Sequence, residues 1–187
     1  MVEITFLNRQ NNMFDRFKQD AYRWSVYHPR YNLTDISQLS AWLIVQFLIQ
    51  HLPLRAMAWF RFGSWCHQKH IPFLPGHVQR RIYRHYGLEI VIGADIDGGL
   101  YIPHPIGTVI APKRIGCNCS IIASTTIGMR NKQEFPTIGD NVFIGAGARV
   151  LGGVFIGNNV NIGSNAVVIH DIPENSTAIG IPAKIIR

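Results

Sequence analysis

A six-residue period runs through the second half of the chain and limits its possible folds more than any other feature. Aliphatic residues recur at every sixth position in three registers, which are Ile90, Ile96 and Ile102; Val109, Ile115, Ile121 and Ile127; and Ile138, Ile144, Val150, Ile156, Ile162 and Val168. An amphipathic helix needs a spacing near 3.6 residues and does not produce such a series. The repeat therefore indicates a solenoid.

Small residues follow the same period. Glycine comes directly after the aliphatic residue at Gly116, Gly128, Gly139, Gly145, Gly157 and Gly163. Small or branched residues come four positions after it, at Cys119, Thr125, Val142, Ala148, Val154, Val160 and Ala166. We predict a three-sided coil with one short strand per hexapeptide, aliphatic side chains inside, and glycine at corners where other residues would be strained. Stacked coils then bury one continuous core.

The registers break twice. The segment Pro103–Gly107 adds a single residue, and 129–137 reads as an inserted loop. Solenoids accommodate insertions at corners, often on the binding face.

The first half of the chain lacks the repeat and reads as helical. We predict an N-terminal helical region over residues 1–88 and a β-helix domain over 89–187. The predicted helices are Met13–Trp24, Ile36–His51 with Thr34 or Asp35 as its cap, Leu54–Gln68 after Pro53, and Val78–His85 after an irregular segment.

Composition limits the possible binding partners and the possible cellular compartment. The formal net charge of +7 suits an anionic partner, and charge alone leaves nucleic acid, a phosphorylated cofactor, an anionic glycan and acidic lipid open. Three cysteines and the absence of a signal-like start favour a reducing, cytoplasmic location. The apolar stretch Leu39–Ile49 is too short to span a membrane. It reads as a buried helix, with contact on the inner face of a membrane as the second interpretation.

The repeat region resembles the catalytic domain of serine O-acetyltransferases, and more closely the acetyltransferases of colanic acid and other exopolysaccharides. The resemblance is carried by YGLEI at 86–90, YIPHPIGTVI at 101–110, STTIG at 124–128, IGAGARVLGG at 144–153 and VVIHDIPENSTAIGIPAKII at 167–186. It implies a left-handed parallel β-helix, a homotrimer with active sites between subunits, and acetyl-CoA as the donor. It implies neither a metal nor a nucleic-acid partner.

The resemblance also assigns residues. The family's catalytic histidine falls on His104, and its partner carboxylate falls on Glu89. Histidine suits a general base for an acceptor hydroxyl, and a carboxylate on the other ring nitrogen fixes the tautomer. The residues predicted to line the acetyl-CoA site are Gly128, Gly145, Ala146, Ser164, Gly180 and Lys184. A basic helix face of Arg80, Arg81 and Arg84 reads as solvated, or as an approach for an anionic lipid or CoA.

The resemblance leaves the acceptor open between a small molecule and a glycan. Departures from the serine enzymes decide which of these we predict. Those enzymes have an acidic residue before the histidine, where this chain has Pro103. Their substrate loop ends in an arginine–histidine pair, and Phe135 lies near the place of that histidine. Unpaired charges on a bound zwitterion are costly. We therefore predict O-acetylation of a sugar hydroxyl in surface polysaccharide biosynthesis.

Three other functions stay open. The first alternative is a serine O-acetyltransferase of cysteine biosynthesis. A hexapeptide-repeat carbonic anhydrase would need three metal-binding histidines, and the repeat region has only His104 and His170. The last alternative is a β-helical scaffold without catalysis.

Overall fold

The computed structural model describes residues 12–26, 31 and 33–186. Helices precede strands, as the change of period predicts. The described helices are α1 Met13–Val26, α2 Ala41–Gln50, α3 Leu52–Gln68 and α4 Leu74–Tyr86, with a short 3-10 helix at Ile36–Gln38. The boundary predicted between residues 88 and 89 stays a prediction, and the first strand begins at Leu88.

All four predicted helices have different bounds in the structure, and two of them begin at clearly different residues. The helix predicted from Ile36 is divided, because the Ser40 side chain accepts a hydrogen bond from the backbone N of Leu43 at 3.2 Å and caps a new helix there. Helix α4 begins at Leu74 inside the segment predicted to be irregular. Pro75 fits the first helical turn, where a backbone N–H has no intrahelical acceptor.

The rest of the described chain is a parallel β-helix. Its strands are β1 Leu88–Ile90, β2 Asp95–Ile96, β3 Thr108–Ile110, β4 Arg114–Ile115, β5 Ser120–Ile121, β6 Thr126–Gly128, β7 Thr137–Ile138, β8 Phe143–Ile144, β9 Arg149–Leu151, β10 Phe155–Ile156, β11 Asn161–Ile162, β12 Val167–Val168, β13 Thr177–Ile179 and β14 Lys184–Ile186. They form three sheets ordered β1-β3-β6-β9-β12, β2-β4-β7-β10 and β5-β8-β11-β13-β14. Every pair is parallel except β13–β14, which is antiparallel. The predicted mainly β solenoid with a helical N-terminal region is confirmed.

One aliphatic position differs from the predicted register. Ile110, rather than Val109, aligns with Ile90 on one side and Ile127 on the other. Ile110 is buried, whereas Val109 is half-buried and lies on the outer face. Both residues are aliphatic, so the sequence pattern fits either one. The turn before β3 determines which of the two side chains faces the core.

The glycines after the aliphatic positions serve a different purpose from the predicted one. None of them has a positive φ; the left-handed corner positions in the repeats are instead filled largely by asparagine, as at Asn141 and Asn159, which tolerates that conformation. A Cβ on Gly145 would lie 2.6 Å from the backbone N of Ser164 in the next coil. A Cβ on Gly139 would lie 2.9 Å from the backbone N of Asn158. These glycines let adjacent coils stack closely.

The small positions lie in the core, as predicted. Cys119, Thr125, Ala148 and Ala166 are fully buried beside the aliphatic column. Burial raises the pKa of the Cys119 thiol to about 12. Cys119 therefore stays a neutral thiol and packs as a small apolar side chain.

A buried ion pair fastens the helices to the first coil. The Arg61 guanidinium donates to both carboxylate oxygens of Asp20, at 2.8 and 3.0 Å, and to the backbone carbonyls of Ile96 and Asp97, each at 2.6 Å. Asp20 also accepts a hydrogen bond from the backbone N of Leu100 at 2.8 Å. Burial raises the pKa of the Asp20 carboxyl, and the guanidinium of Arg61 opposes that shift. This ion pair therefore joins the helical region to the β-helix inside a common core.

Helix α2 leaves one apolar face exposed. Trp42, Val45 and Ile49 lie on it, with 69%, 43% and 66% of their surface accessible. No single helix among the described residues is long and apolar enough to cross a membrane; α2 and α3 together have sufficient length and apolar content, but they meet at a bend of 117°. Membrane contact stays a prediction.

Candidate active site

One corner of the β-helix gathers half of the predicted site residues, which are His104, Gly145, Ala146 and Ser164. It consists of the turns 103–107, 122–125, 145–148 and 163–166, each of which leads into a strand of the first sheet. The backbone N of Gly147 donates to the carbonyl of Ala123, and that of Asn165 donates to the carbonyl of Ala146, both at 2.8 Å. We call these four stacked turns the corner column.

His104 lies at the top of the corner column. Its side chain is exposed, in the turn between Tyr101 and β3. The backbone N of Gly107 in the same turn donates to the carbonyl of Gly87 at 3.0 Å. This hydrogen bond holds the histidine turn against the start of β1, two residues before Glu89.

Glu89 lies in the middle of β1 with an exposed side chain, opposite Val109 of β3. The structure therefore brings the strand of Glu89 beside the turn of His104. Among the described residues, no hydrogen bond or ion pair within 4.0 Å joins the Glu89 carboxylate to the His104 imidazole. Their catalytic pairing stays a prediction.

The residues predicted for acetyl-CoA fall into two places. Gly145 and Ala146 lie in the corner column, and Ser164 lies directly beneath them in the next coil. The carbonyl of Gly180 accepts a hydrogen bond from the backbone N of Val167 at 3.0 Å, which extends the column toward the C-terminus. Lys184 is exposed in β14, opposite Ile179.

Gly128 lies apart from the other predicted cofactor residues. It ends β6 opposite Leu151 of β9, at the far edge of the first sheet from Ala146. A Cβ at this position would meet nothing within 4 Å, so coil packing does not explain a glycine here. Its role in binding acetyl-CoA stays a prediction, as do those of the corner residues.

The inserted loop folds back over the next coil. Arg130, Lys132 and Glu134 are exposed on it. The Cβ of Glu134 lies 3.1 Å from where a Cβ of Gly153 would be, and the Cβ of Arg130 lies 3.6 Å from the equivalent position of Gly152. Two adjacent glycines thus give the loop room to lie against the coil.

A groove opens between α4 and β1. It has a volume of about 430 Å³ and is lined by Gly76, Gln79, Arg80, Tyr83, Arg84 and Glu89. Sequence reasoning treated the arginines of α4 as one basic face and did not connect them with Glu89. The i, i+4 spacing of Arg80 and Arg84 places them on one side of the helix and was the available signal.

One cluster of potential metal ligands occurs away from this corner. One ligand atom from each of Asp97, Cys117 and Asp140 lies within 4.8 Å of the others. Asp97 already contacts Arg114 at 2.6 Å and Arg16 at 3.4 Å. The protein itself therefore balances the charge of this carboxylate, and the predicted absence of a metal stays a prediction.

Known proteins provide the decisive comparison. Residues 135–170 match the family model "Bacterial transferase hexapeptide (six repeats)". A serine acetyltransferase of Helicobacter pylori is 36% identical over 143 residues, which are 74% of this chain and 84% of the relative. The chain belongs to the serine acetyltransferase family. A second family member, from Synechococcus elongatus, is 36% identical over 149 residues, which are 76% of this chain and 60% of that relative. The match thus covers less than two thirds of that relative's length.

Solved structures of the family have the same architecture. The serine acetyltransferase of Neisseria gonorrhoeae in complex with serine has a TM-score of 0.78 and 27% identity, and the match covers 94% of this chain and 69% of that one. A serine acetyltransferase in complex with CoA has a TM-score of 0.78 and 26% identity over 93% of this chain and 69% of that one.

These comparisons correct the predicted acceptor. The prediction of a sugar hydroxyl in polysaccharide biosynthesis is wrong, because these family members are serine acetyltransferases. The closer likeness to exopolysaccharide enzymes is likewise unsupported. The prediction considered charged groups only at Pro103 and in the inserted loop. It did not consider Arg80, Arg84 and Glu89, which the structure places around one groove.

Proposed function

We propose that this protein is an acetyl-CoA-dependent O-acetyltransferase whose acceptor is the hydroxyl group of L-serine. The observation that carries the proposal is the likeness to the Helicobacter pylori serine acetyltransferase, at 36% identity over 84% of that protein. The corner column adds support, since it stacks His104 above Gly145, Ala146 and Ser164 on one edge of the β-helix.

The proposed reaction needs a base at the acceptor hydroxyl. His104 accepts the hydroxyl proton while the serine oxygen attacks the thioester carbonyl of acetyl-CoA. The carbon–sulfur bond breaks, an ester bond forms, and the imidazolium returns the proton to the departing thiolate of CoA. Histidine suits both steps because its side chain titrates near neutral pH. In this proposal Glu89, on the strand beside the histidine turn, orients the imidazole.

Acetyl-CoA is proposed to lie along the corner column. A solved family member binds CoA, and the small side chains at Ala146 and Ser164 leave backbone groups of the turns close to the surface. Exposed Lys184, near the end of the column, is proposed to meet a phosphate.

We propose a homotrimer, as the resemblance implies, and a cytoplasmic location, as the cysteine usage favours. Exposed apolar side chains support assembly: Ile106, in the histidine turn, is 75% accessible, and Phe155, in β10, is 53% accessible. Exposed apolar surface of sufficient extent often marks a contact between protein chains. Light scattering on the purified protein is expected to give a mass of three chains or a multiple of three. A monomer mass would contradict this assembly.

The acceptor is tested directly by release of CoA thiol. Purified protein and acetyl-CoA are mixed in parallel reactions, each with one candidate acceptor. The acceptors are L-serine, D-serine, L-threonine and a set of free sugars and nucleotide sugars. We expect thiol release to depend on L-serine, and O-acetylserine to be recovered by mass spectrometry. Transfer to a sugar in preference to serine would overturn the proposed acceptor. Absence of transfer to every acceptor would overturn the enzymatic function.

A further inference from the structure

The groove between α4 and β1 carries more charge than a solvated helix face requires. Helix α4 buries Val78 and Ile82 against the core. Its outer side carries Arg80, Arg81 and Arg84, all exposed. The structure separates these arginines into two groups with different surroundings.

Arg81 has an aromatic partner. Its guanidinium lies 4.6 Å from the centroid of the Trp59 ring, which is a cation–π distance. It is not among the residues that line the groove. Arg81 therefore contributes to the packing of α4 on α3.

Arg80 and Arg84 line the groove and have no such partner. Within the described part of the chain, neither forms an ion pair within 4.0 Å or a cation–π contact. A guanidinium nitrogen of Arg80 lies 3.6 Å from where a Cβ of Gly76 would be, so the glycine leaves room for the arginine head group. At i, i+4 spacing on a helix, both guanidinium groups can reach one anion.

The same groove contains a carboxylate of opposite charge. Glu89 lines it from β1 and lies beside the histidine turn through the hydrogen bond of Gly107 to Gly87. The lining thus presents two cations on one wall and one anion on the other. This pattern complements a small zwitterion, whose carboxylate and ammonium groups are a few bonds apart.

We infer that the α4–β1 groove binds the acceptor amino acid, with Arg80 and Arg84 holding its α-carboxylate. This inference rests on the proposed function and specifies the residues that select an amino acid as acceptor. The ammonium group then faces one carboxylate oxygen of Glu89, and the other oxygen is left to orient the imidazole of His104. The hydroxyl group is directed toward the turn of His104.

The test compares serine with serinamide, which keeps the ammonium and hydroxyl groups but lacks the carboxylate. In the double variant Arg80→Gln/Arg84→Gln, the KM for serine is expected to rise by about tenfold to a hundredfold, because two charge-assisted hydrogen bonds are lost. The KM for serinamide and the KM for acetyl-CoA are expected to stay within about twofold of the wild-type values. Calorimetric titration with serine gives the same comparison without turnover.

The matched control is Arg81→Gln, which removes the same charge from the same helix outside the groove. Its KM for serine is expected to be that of the wild type, and thermal unfolding verifies that each variant is folded. If the ratio of the KM for serine to the KM for serinamide is the same in the double variant as in the wild type, the inference is overturned. A rise in the KM for acetyl-CoA alone would assign the arginines to a CoA phosphate and would also overturn it. If wild-type protein does not acetylate serine, the proposed function fails instead, which keeps the two failures distinct.

Discussion

Replacing His104 by alanine is expected to lower kcat by about a hundredfold to ten-thousandfold, the range for loss of a general base. Without the imidazole, the serine hydroxyl must lose its proton to water during attack on the thioester. The KM for acetyl-CoA is expected to change little, because Gly145, Ala146 and Ser164, which we propose to bind CoA, lie in other turns of the corner column. Initial rates of thiol release at saturating substrates measure the effect.

The control for this experiment is His170→Ala. His170 is the other histidine of the repeat region and is also exposed, but it lies in a turn near the C-terminal end of the β-helix. Its replacement is expected to leave kcat unchanged. If His104→Ala and His170→Ala have the same kcat as the wild type, the proposed base is wrong. Equal losses in both variants would point to a general effect on folding rather than to catalysis.

Replacing Asp20 by asparagine is expected to reduce the free energy of unfolding by about 3–5 kcal/mol, the usual cost of removing one partner of a buried ion pair. Asp20 is fully buried, and Arg61 is 3% exposed. The variant leaves the Arg61 guanidinium in the core without a counter-charge and weakens the contact with the backbone N of Leu100. Urea denaturation followed by circular dichroism measures the loss.

Asp95→Asn is the matched control for that variant. Asp95 pairs with Arg114 at 3.1 Å, but the two side chains are 49% and 38% exposed. Water screens such a pair, and its loss is expected to cost at most about 1 kcal/mol. Unfolding free energies of the two variants that agree within about 1 kcal/mol would contradict the role given to Asp20.

The two ends of the chain differ in how well their local sequence predicts structure. In the β-helix each hexapeptide adopts the same local structure, so the aliphatic and small positions alone predict which residues lie in the core. The one error, Val109 in place of Ile110, occurs where two aliphatic residues are adjacent. The bounds of the helices are harder to predict from the sequence than the strands, because a single side-chain cap at Ser40 divides a segment that is helical by composition.

Contacts between distant segments lay outside the reach of any local pattern. The bond between Asp20 and Arg61 joins residues 41 positions apart, and neither belongs to a recognisable motif. The groove also depends on the position of α4 over β1, which separates Arg81 from Arg80 and Arg84. The sequence alone shows three arginines on one helix and does not show this separation.

The amino-acid order by itself determined the solenoid and nearly all of its inward-facing residues, because a six-residue repeat brings one aliphatic side chain of each strand into the core. The family resemblance of its motifs, rather than the repeat, pointed to His104 as the base. Tertiary structure alone decided the phase of β3, the stacking of glycines against the next coil, and the meeting of α4 with Glu89. Those features depend on which segments come to lie side by side, and a local pattern contains no information on contacts made across the fold.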